Sequence, residues 1–432
     1  MSLRIAYDIT RLSELYTLRD YKIGVSRTIE SLLTELLKMT EIDLKIVSAG
    51  GQSPPLTIIS GNLYAREIHN SSFVIDNDFN SKLLPKIIYE SLFQTYCYLH
   101  RLKSNHNQPT LIKAFWKFWR ESSFIHQDTF YTFNPANYDL IHITSIRAPQ
   151  KELTGTLPRL MTIYDLFQIQ SDQYKNTSRE SFFQKFLNNI DLQKDWITCI
   201  SEYTRQEFLE YTGMSTDRVF TNLQGANEQF YPVSDTETIQ LARQRYFIPN
   251  GDYFLCVASY LDPRKNVPFL IQNFIKLITE QPNLDINLAI IGSLSYKSPE
   301  IITLMEEIKA YKNRIVFTGF VPDEDLCVLY SGAKAFIFPS LGEGFGIPVL
   351  EAMQCGTPVI TSNVTSLPEI AGDAAILINP RDGDELCQAM LNFLTDEDLR
   401  DRLKQKGIER AKQFSWSKCA RETVEIYQKM VN

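Results

Sequence analysis

Ala335-Phe336-Ile337-Phe338-Pro339-Ser340-Leu341-Gly342-Glu343-Gly344-Phe345-Gly346-Ile347-Pro348-Val349-Leu350-Glu351 reads as strand, glycine-rich loop and helix in one pass. Residues 335–338 are continuously apolar, the pattern of a strand covered on both faces of a parallel sheet. Gly342, Gly344 and Gly346 then open the backbone into a tight loop, and Pro348 suits the first position of a helix. Glu343 therefore rides the loop, and Glu351, with seven residues between the two, is expected in the first helical turn. Free backbone N–H groups at a helix start point into the gap between them and suit a phosphate. Hydroxyl-binding carboxylates on either side of a phosphate cradle are what a sugar nucleotide requires. Each part also has an ordinary structural reading. The helix dipole favours an acidic residue near its start whatever the function, and glycine turns are common in parallel α/β proteins. The unbroken run favours function.

Working outward, the C-terminal half alternates between strands and helices. Strands are expected at Tyr253–Ser259, Leu288–Gly292, Ile315–Thr318, Ala335–Phe338, Pro358–Thr361 and Ala374–Ile378. Helices fall between them, at Pro268–Thr279, after Asp323 and at Pro348–Met353, with two more running to about Gln413. The N-terminal half opens alike: strand Leu3–Asp8, helix near Gly24–Met39, strand Leu44–Ser48, then strands Leu140–Thr144, Leu160–Tyr164 and Trp196–Ile200. This alternation predicts an α/β protein of two Rossmann-like, doubly wound parallel-sheet domains facing across a cleft, with ligand at the carboxyl ends of the strands. The boundaries are drawn at 1–235 for an N-terminal Rossmann-like domain with an irregular insertion at about 52–137. Residues 236–415 form a second Rossmann-like domain, and 416–432 a C-terminal helix that can return to the first domain. The polar stretch from Tyr231 to Asp252 reads as linker.

Length and composition agree with this. A chain of 432 residues, 44% hydrophobic and 22% charged, has the material for two globular cores. A formal charge of −7 gives no basic excess for nucleic acid. No apolar run approaches a membrane span, and the N-terminus lacks a signal peptide's apolar centre, so a cytoplasmic setting is expected. The 7 cysteines are dispersed without a C-x-x-C pair and read as reduced thiols. All 5 histidines lie at or before His142, so the C-terminal two thirds must work with carboxylates, Arg, Lys and backbone amides.

The Glu343–Glu351 run resembles the E-x7-E signature of family-4 retaining glycosyltransferases, which have the GT-B fold. The likeness is densest from about Tyr253 to Asn379. It implies that Glu343 contacts the transferred sugar and Glu351 the donor ribose, with Gly344, Phe345 and Gly346 forming the cradle. The stretch Pro263-Arg264-Lys265-Asn266 is similar to the family's diphosphate grip, and fixed cations there would stabilise charge on the leaving group. Gly319 and Phe320, ending a strand at the same edge, are implied to meet the nucleotide base. Thr365, in a segment resembling the family's S-L-P-E turn with Glu369, would help shape the pocket. On the N-terminal face Gly24 opens a helix that can meet the diphosphate, and His142 resembles a family histidine at a strand end. Many relatives carry His-Asp where this chain reads Tyr164-Asp165. Tyrosine does not accept a proton near neutral pH, which leaves Asp165 for the acceptor side. Gln224-Gly225-Ala226-Asn227 resembles a family N-G-x-D turn.

The expected reaction is hexose transfer from a nucleotide sugar to a hydroxyl acceptor on a glycan or lipid-linked sugar. Mannose from GDP-mannose is favoured over a UDP-sugar, with no cofactor and no metal. Three alternatives stay open: a metal-dependent transferase using one of the D-x-D tripeptides (76/78, 323/325, 382/384, 396/398), an epimerase of the same fold, and an inactive scaffold. Residues 111–120 group Ile112, Phe115, Trp116 and Trp119 on one helical face, which suits either a packed helix or peripheral contact with a membrane.

Overall fold

Strand-forming runs of Ile, Val, Leu and Phe build two separate parallel sheets in the computed structural model, which describes residues 2–10, 24–47, 78–81, 129–144, 154–170, 177–258, 262–292 and 308–432, with residues 12, 64, 175 and 306. The chain divides into two units: residues 1–199, 207–222 and 420–432 form the first, and residues 200–206 and 223–419 the second.

In the first unit, β1 (Leu3–Asp8), β2 (Ile42–Val47), β5 (Leu140–Ile143), β6 (Arg159–Ile163), β7 (Trp196–Cys199) and β8 (Val219–Thr221) form a sheet in the order β2-β1-β5-β6-β7-β8. Every pairing in it is parallel. Helix α1 (Val25–Leu36) buries Ile29, Leu32, Leu33 and Leu36, a spacing that gives it one apolar face. Helices α2 (Phe167–Gln170), α3 (Ser178–Asn188) and α4 (Glu202–Thr212) follow later strands. A separate antiparallel pair, β3 (Asp78–Ser81) with β4 (Thr129–Thr132), lies within the segment expected to be an insertion. One buried ion pair fixes the far end of β6: Arg159 donates from Nε to Asp195 Oδ1 at 2.8 Å and also pairs with Asp195 Oδ2.

The second unit repeats the plan. Strands β9 (Asp252–Val257), β10 (Ile286–Ile291), β11 (Ile315–Gly319), β12 (Ala335–Phe338), β13 (Val359–Ser362) and β14 (Ala375–Ile378) line up as β11-β10-β9-β12-β13-β14. Helix α6 (Val267–Glu280) packs Phe274 edge-on against Phe254 of β9, with ring centroids 6.5 Å apart. Helices α7 (Asp323–Ser331), α8 (Ile347–Gln354), α9 (Leu367–Ala371), α10 (Gly383–Thr395) and α11 (Glu397–Ala411) belong to this unit, and most of α12 (Trp416–Val431) falls in the residues of the first. These six-stranded α/β sheets are the two Rossmann-like units that the alternation predicted.

One reading is corrected. The stretch taken as linker contains helix α5 (Thr236–Arg245), capped by Asp235, whose side chain accepts the Thr238 N–H at 3.1 Å. It buries only Ala242, so its pattern is nearly all polar and the 3.6-residue period is faint. The 111–120 segment lies outside the described residues. Among the described residues no helix is long and apolar enough to cross a membrane.

Candidate active site

In the second unit the strand order becomes 3-2-1-4-5-6 when counted from β9. The crossovers reverse direction between β9 and β12, and in open α/β sheets the ligand crevice lies outside the strand ends at such a point. The two loops leaving these strands carry Arg264 with Lys265, and Glu343.

The first loop is organised by Asp262. Its side chain accepts the Arg264 N–H at 3.1 Å, capping the short 3-10 turn Pro263–Lys265. The same carboxylate holds the Arg264 guanidinium, with Nε at 3.0 and 3.1 Å and Nη2 at 2.6 Å. Burial alone would raise the Asp262 carboxyl, but the Arg264 hydrogen bonds and the charges of Arg264 and Lys265 outweigh it and hold it below its ordinary value. Asn266 takes the left-handed conformation (φ 55°) and spans to the neighbouring loops, donating from Nδ2 to Pro339 O at 3.1 Å and Pro380 O at 2.8 Å.

Main-chain bonds dock the second loop onto the first. Leu341 N–H donates to Arg264 O at 2.7 Å. The buried Ser340 hydroxyl lies 2.9 Å from that same carbonyl and 2.6 Å from Glu343 Oε1. Lys265 Nζ then reaches Glu343 Oε1 at 2.7 Å, the two side chains being 18% and 12% exposed. The ammonium also stands 4.9 Å from the centroid of the Phe338 ring, within cation–π range. A third loop, after β13, closes the cluster. Glu343 N–H donates to Thr365 Oγ1 at 3.0 Å, and Ser366 Oγ is 2.9 Å from both Glu343 O and Phe345 O. Thr365 sits at φ 55°, a costly conformation for a β-branched residue and one that local interactions must hold.

The structure thus brings Glu343, Lys265, Arg264 and Thr365 together. Gly346 opens α8 at φ 113°, and a Cβ there would come within 2.8 Å of Leu367 Cδ2, so the tight turn excludes a side chain twice over. Gly344 takes part through its carbonyl, 3.4 Å from Thr204 Oγ1. The Phe345 ring instead belongs to the core, 3% exposed and edge-on to Phe414 at 6.1 Å, so only its backbone faces the loop cluster. Glu351 falls in the second turn of α8, not the first, because the helix begins at Ile347. It is 2% exposed, with Tyr330 Oη 3.4 Å from Oε2. Gly319 ends β11 at φ 72°, and its neighbour Phe320 is 80% exposed.

Three expected residues belong to the first unit. Gly24 precedes α1 at φ 54°, with open space where a Cβ would lie. Asp165 accepts the Phe167 N–H at 3.2 Å and so starts α2, while Tyr164 donates to Thr144 O at 2.9 Å. His142 is wholly buried within β5, its Nδ1 2.7 Å from Tyr427 Oη and its Nε2 2.8 Å from Thr162 Oγ1. Burial pushes its pKa down to about 3, which favours the neutral ring.

Sequence reasoning passed over Asp262, Asn266, Ser340 and Ser366, which hold the charged pair in place. Asp-Pro followed by a turn was the available signal for the first, and small hydroxyls beside Glu343 and Thr365 for the serines. Glu369, weighed as a pocket residue, instead accepts the Glu202 and Tyr203 N–H groups at 3.0 and 3.2 Å and caps α4. Of the acidic tripeptides, Asp382 and Asp396 are helix caps and Asp325 is bound by Arg245 and Tyr246. Among the described residues no group of three or more His, Cys, Asp or Glu is placed to hold a metal.

A fold of two Rossmann-like units with a cation–carboxylate cluster at one switch point is that of a GT-B transferase. The sequence model described as "Glycosyl transferases group 1" matches residues 238–410. The chain is 32% identical over 267 residues to O-antigen chain mannosyltransferase B of Escherichia coli, a match covering 62% of this chain and 69% of that protein. It is 36% identical over 244 residues to the serotype-specific mannosyltransferase WbdA of Escherichia coli, covering 55% of this chain but only 29% of WbdA. A glycosyltransferase structure from Rickettsia africae superposes over 100% of this chain and 99% of its own with a TM-score of 0.63 at 16% identity, a likeness of fold. This chain belongs to the group 1 glycosyltransferases.

Proposed function

We propose that this protein transfers mannose from GDP-mannose to a hydroxyl of a glycan acceptor, with retention of anomeric configuration and without a metal ion. The observation that carries the reading is the Lys265–Glu343 pair, 2.7 Å apart at the switch point and flanked by the Arg264–Asp262 pair. A ligand bringing hydroxyls and a diphosphate supplies partners for both charges: Glu343 turns to the hexose hydroxyls, and Lys265 with Arg264 to the phosphate oxygens. Charge grows on the diphosphate as the bond to the anomeric carbon breaks, so cations fixed beforehand lower the barrier. The acceptor oxygen attacks the anomeric carbon from the face the diphosphate leaves. Its proton passes to a leaving phosphate oxygen, and no protein nucleophile is needed. Glu351 orients the ribose, and Gly319 with Phe320 offer the base a strand end and an aromatic face. Asp165 and Gly24 serve the acceptor side and the diphosphate.

Mannose is favoured because relatives named as mannosyltransferases match at 32% and 36% identity. Guanine as the base follows from the resemblance of the Pro263–Asn266 stretch and the Glu343–Glu351 run to mannosyltransferases. The deciding experiment incubates the protein with GDP-mannose or UDP-glucose, an oligomannose acceptor and excess chelator, and reads product linkage by NMR. Retained configuration from GDP-mannose in chelator is the expected result. Transfer only from the UDP-sugar replaces the donor, an inverted product replaces the stereochemistry, and loss of activity in chelator replaces the metal-free mechanism. A lipid-linked acceptor brings the chain to a membrane surface, which co-flotation with anionic liposomes tests.

A further inference from the structure

We propose that Cys327 and Cys355 form a reversible disulfide under hydroperoxide stress and that this bond lowers affinity for the nucleotide-sugar donor. The site is a pair of thiols on two helices. Cys327 lies in α7 and Cys355 caps the C-terminus of α8, and their sulfur atoms are 3.8 Å apart with both residues buried. A disulfide needs about 2.05 Å between the sulfurs, so modest side-chain rotation and helix adjustment bring them to bonding distance.

The surroundings favour Cys327 as the sulfur that attacks first. Its Sγ accepts hydrogen bonds from the Cys355 thiol at 3.8 Å and the Tyr231 N–H at 3.4 Å, and its own thiol donates to Tyr231 O at 3.3 Å. The hydrogen bond from Cys355 lowers the Cys327 pKa to about 7 against the opposing effect of burial, with the Tyr231 N–H assisting, whereas Cys355 is pushed up. Cys327 is thus the more acidic thiol of the two and the readier nucleophile. Its sulfur attacks one oxygen of the peroxide, the O–O bond breaks, and water leaves once the second oxygen is protonated. The sulfenic acid so formed is attacked by the Cys355 sulfur, the S–O bond breaks, and a second water departs. Two electrons pass from the two thiols to one peroxide, and the two thiol protons end in water.

The effect on the donor rests on the reading of Glu351 above. Tyr330 stands one turn after Cys327, and Glu351 one turn before Cys355, whose N–H donates to Glu351 O at 3.1 Å. The Tyr330 hydroxyl lies 3.4 Å from Glu351 Oε2, at the long end for such a contact. Drawing the Cys327 and Cys355 sulfurs together shifts the two helices at the positions that set that contact.

The test treats the full chain with hydrogen peroxide, maps disulfides by mass spectrometry, and measures KM for the donor before and after oxidation and after reduction with dithiothreitol. Cys327→Ser and Cys355→Ala are carried alongside. The expected result is a Cys327–Cys355 peptide, a several-fold higher KM reversed by dithiothreitol, and no KM change on oxidising either variant. No such peptide at peroxide doses that oxidise the urea-unfolded chain overturns the site. Formation of the bond with an unchanged KM overturns its coupling to the donor. A chain inactive before oxidation but still forming the bond counts against the functional reading and supports the disulfide site.

Discussion

Lys265 holds its charge between a carboxylate and the face of Phe338, so the unliganded site is already close to neutral. Removing either partner of the Lys265–Glu343 pair should therefore act twice, taking away a group that meets substrate and leaving the other charge without its counterion. Lys265→Ala and Glu343→Ala are each expected to cut turnover roughly 10²–10³-fold, by analogy with oxyanion donors, with the circular dichroism spectrum unchanged. The double variant should lose less than the product of the two, because the groups act as a unit. Near-wild-type turnover in either single variant removes that residue from the site. His142 yields a prediction of another kind. An unfolded histidine takes up a proton near pH 6.5, whereas buried His142 stays neutral down to about 3. The unfolded chain thus binds the extra proton first, and the first unit loses stability as pH falls from about 6.5 toward 3. Melting curves from pH 7 to 4 should show this slope, reduced in His142→Gln, and equal slopes would mean the ring is not held neutral.

Among elements, the turn Gln224–Asn227 and the helix α4 are the most exposed to single changes. A Cβ on Gly225 would strike the Ser415–Trp416 backbone, 2.6 Å from the Ser415 carbonyl carbon. Backbone cannot step aside as a side chain can, so Gly225→Ala should destabilise the second unit by about 1–3 kcal/mol, read as a lower denaturation midpoint. Glu369→Ala strips two N–H groups of α4 of their acceptor and is expected to cost about 1 kcal/mol in the same assay. Legibility followed the same division. Strands such as Phe336–Phe338 and the loop that places Glu343 were readable because apolar runs and glycines are local signals. The Glu369 cap was not readable, since its partners lie 166 and 167 residues away in the chain. Helix α5 was hidden by its polarity, and the burial of His142 was not readable because it depends on the Tyr427 ring, 285 residues distant. Glu351 was placed one residue too near the helix start, because Pro348 is the second and not the first residue of α8.

For the whole molecule, the strand order β11-β10-β9-β12-β13-β14 places the loop cluster of Arg264, Lys265 and Glu343 in a unit with its own core. A nucleotide that binds only the folded form stabilises it by about 2.7 kcal/mol at a hundredfold over its dissociation constant. In a thermal-shift series of GDP, UDP, ADP and dTDP, GDP is expected to raise the melting point most, and a larger shift with UDP would reassign the donor. The loop cluster has a wider consequence. Its frame is tied through the main-chain oxygens of Arg264, Pro339, Glu343, Phe345 and Pro380, gripped by Leu341 N–H, Ser340, Ser366 and Asn266. Carbonyl oxygens are the same whatever side chain a position carries. Shape and chemistry are thereby written in different atoms: the scaffold can stay constant while charges at 264, 265 and 343 are exchanged. Sequence drift, or deliberate engineering, can change the charges at these positions without rebuilding the loops, provided the two serines and the asparagine are left alone.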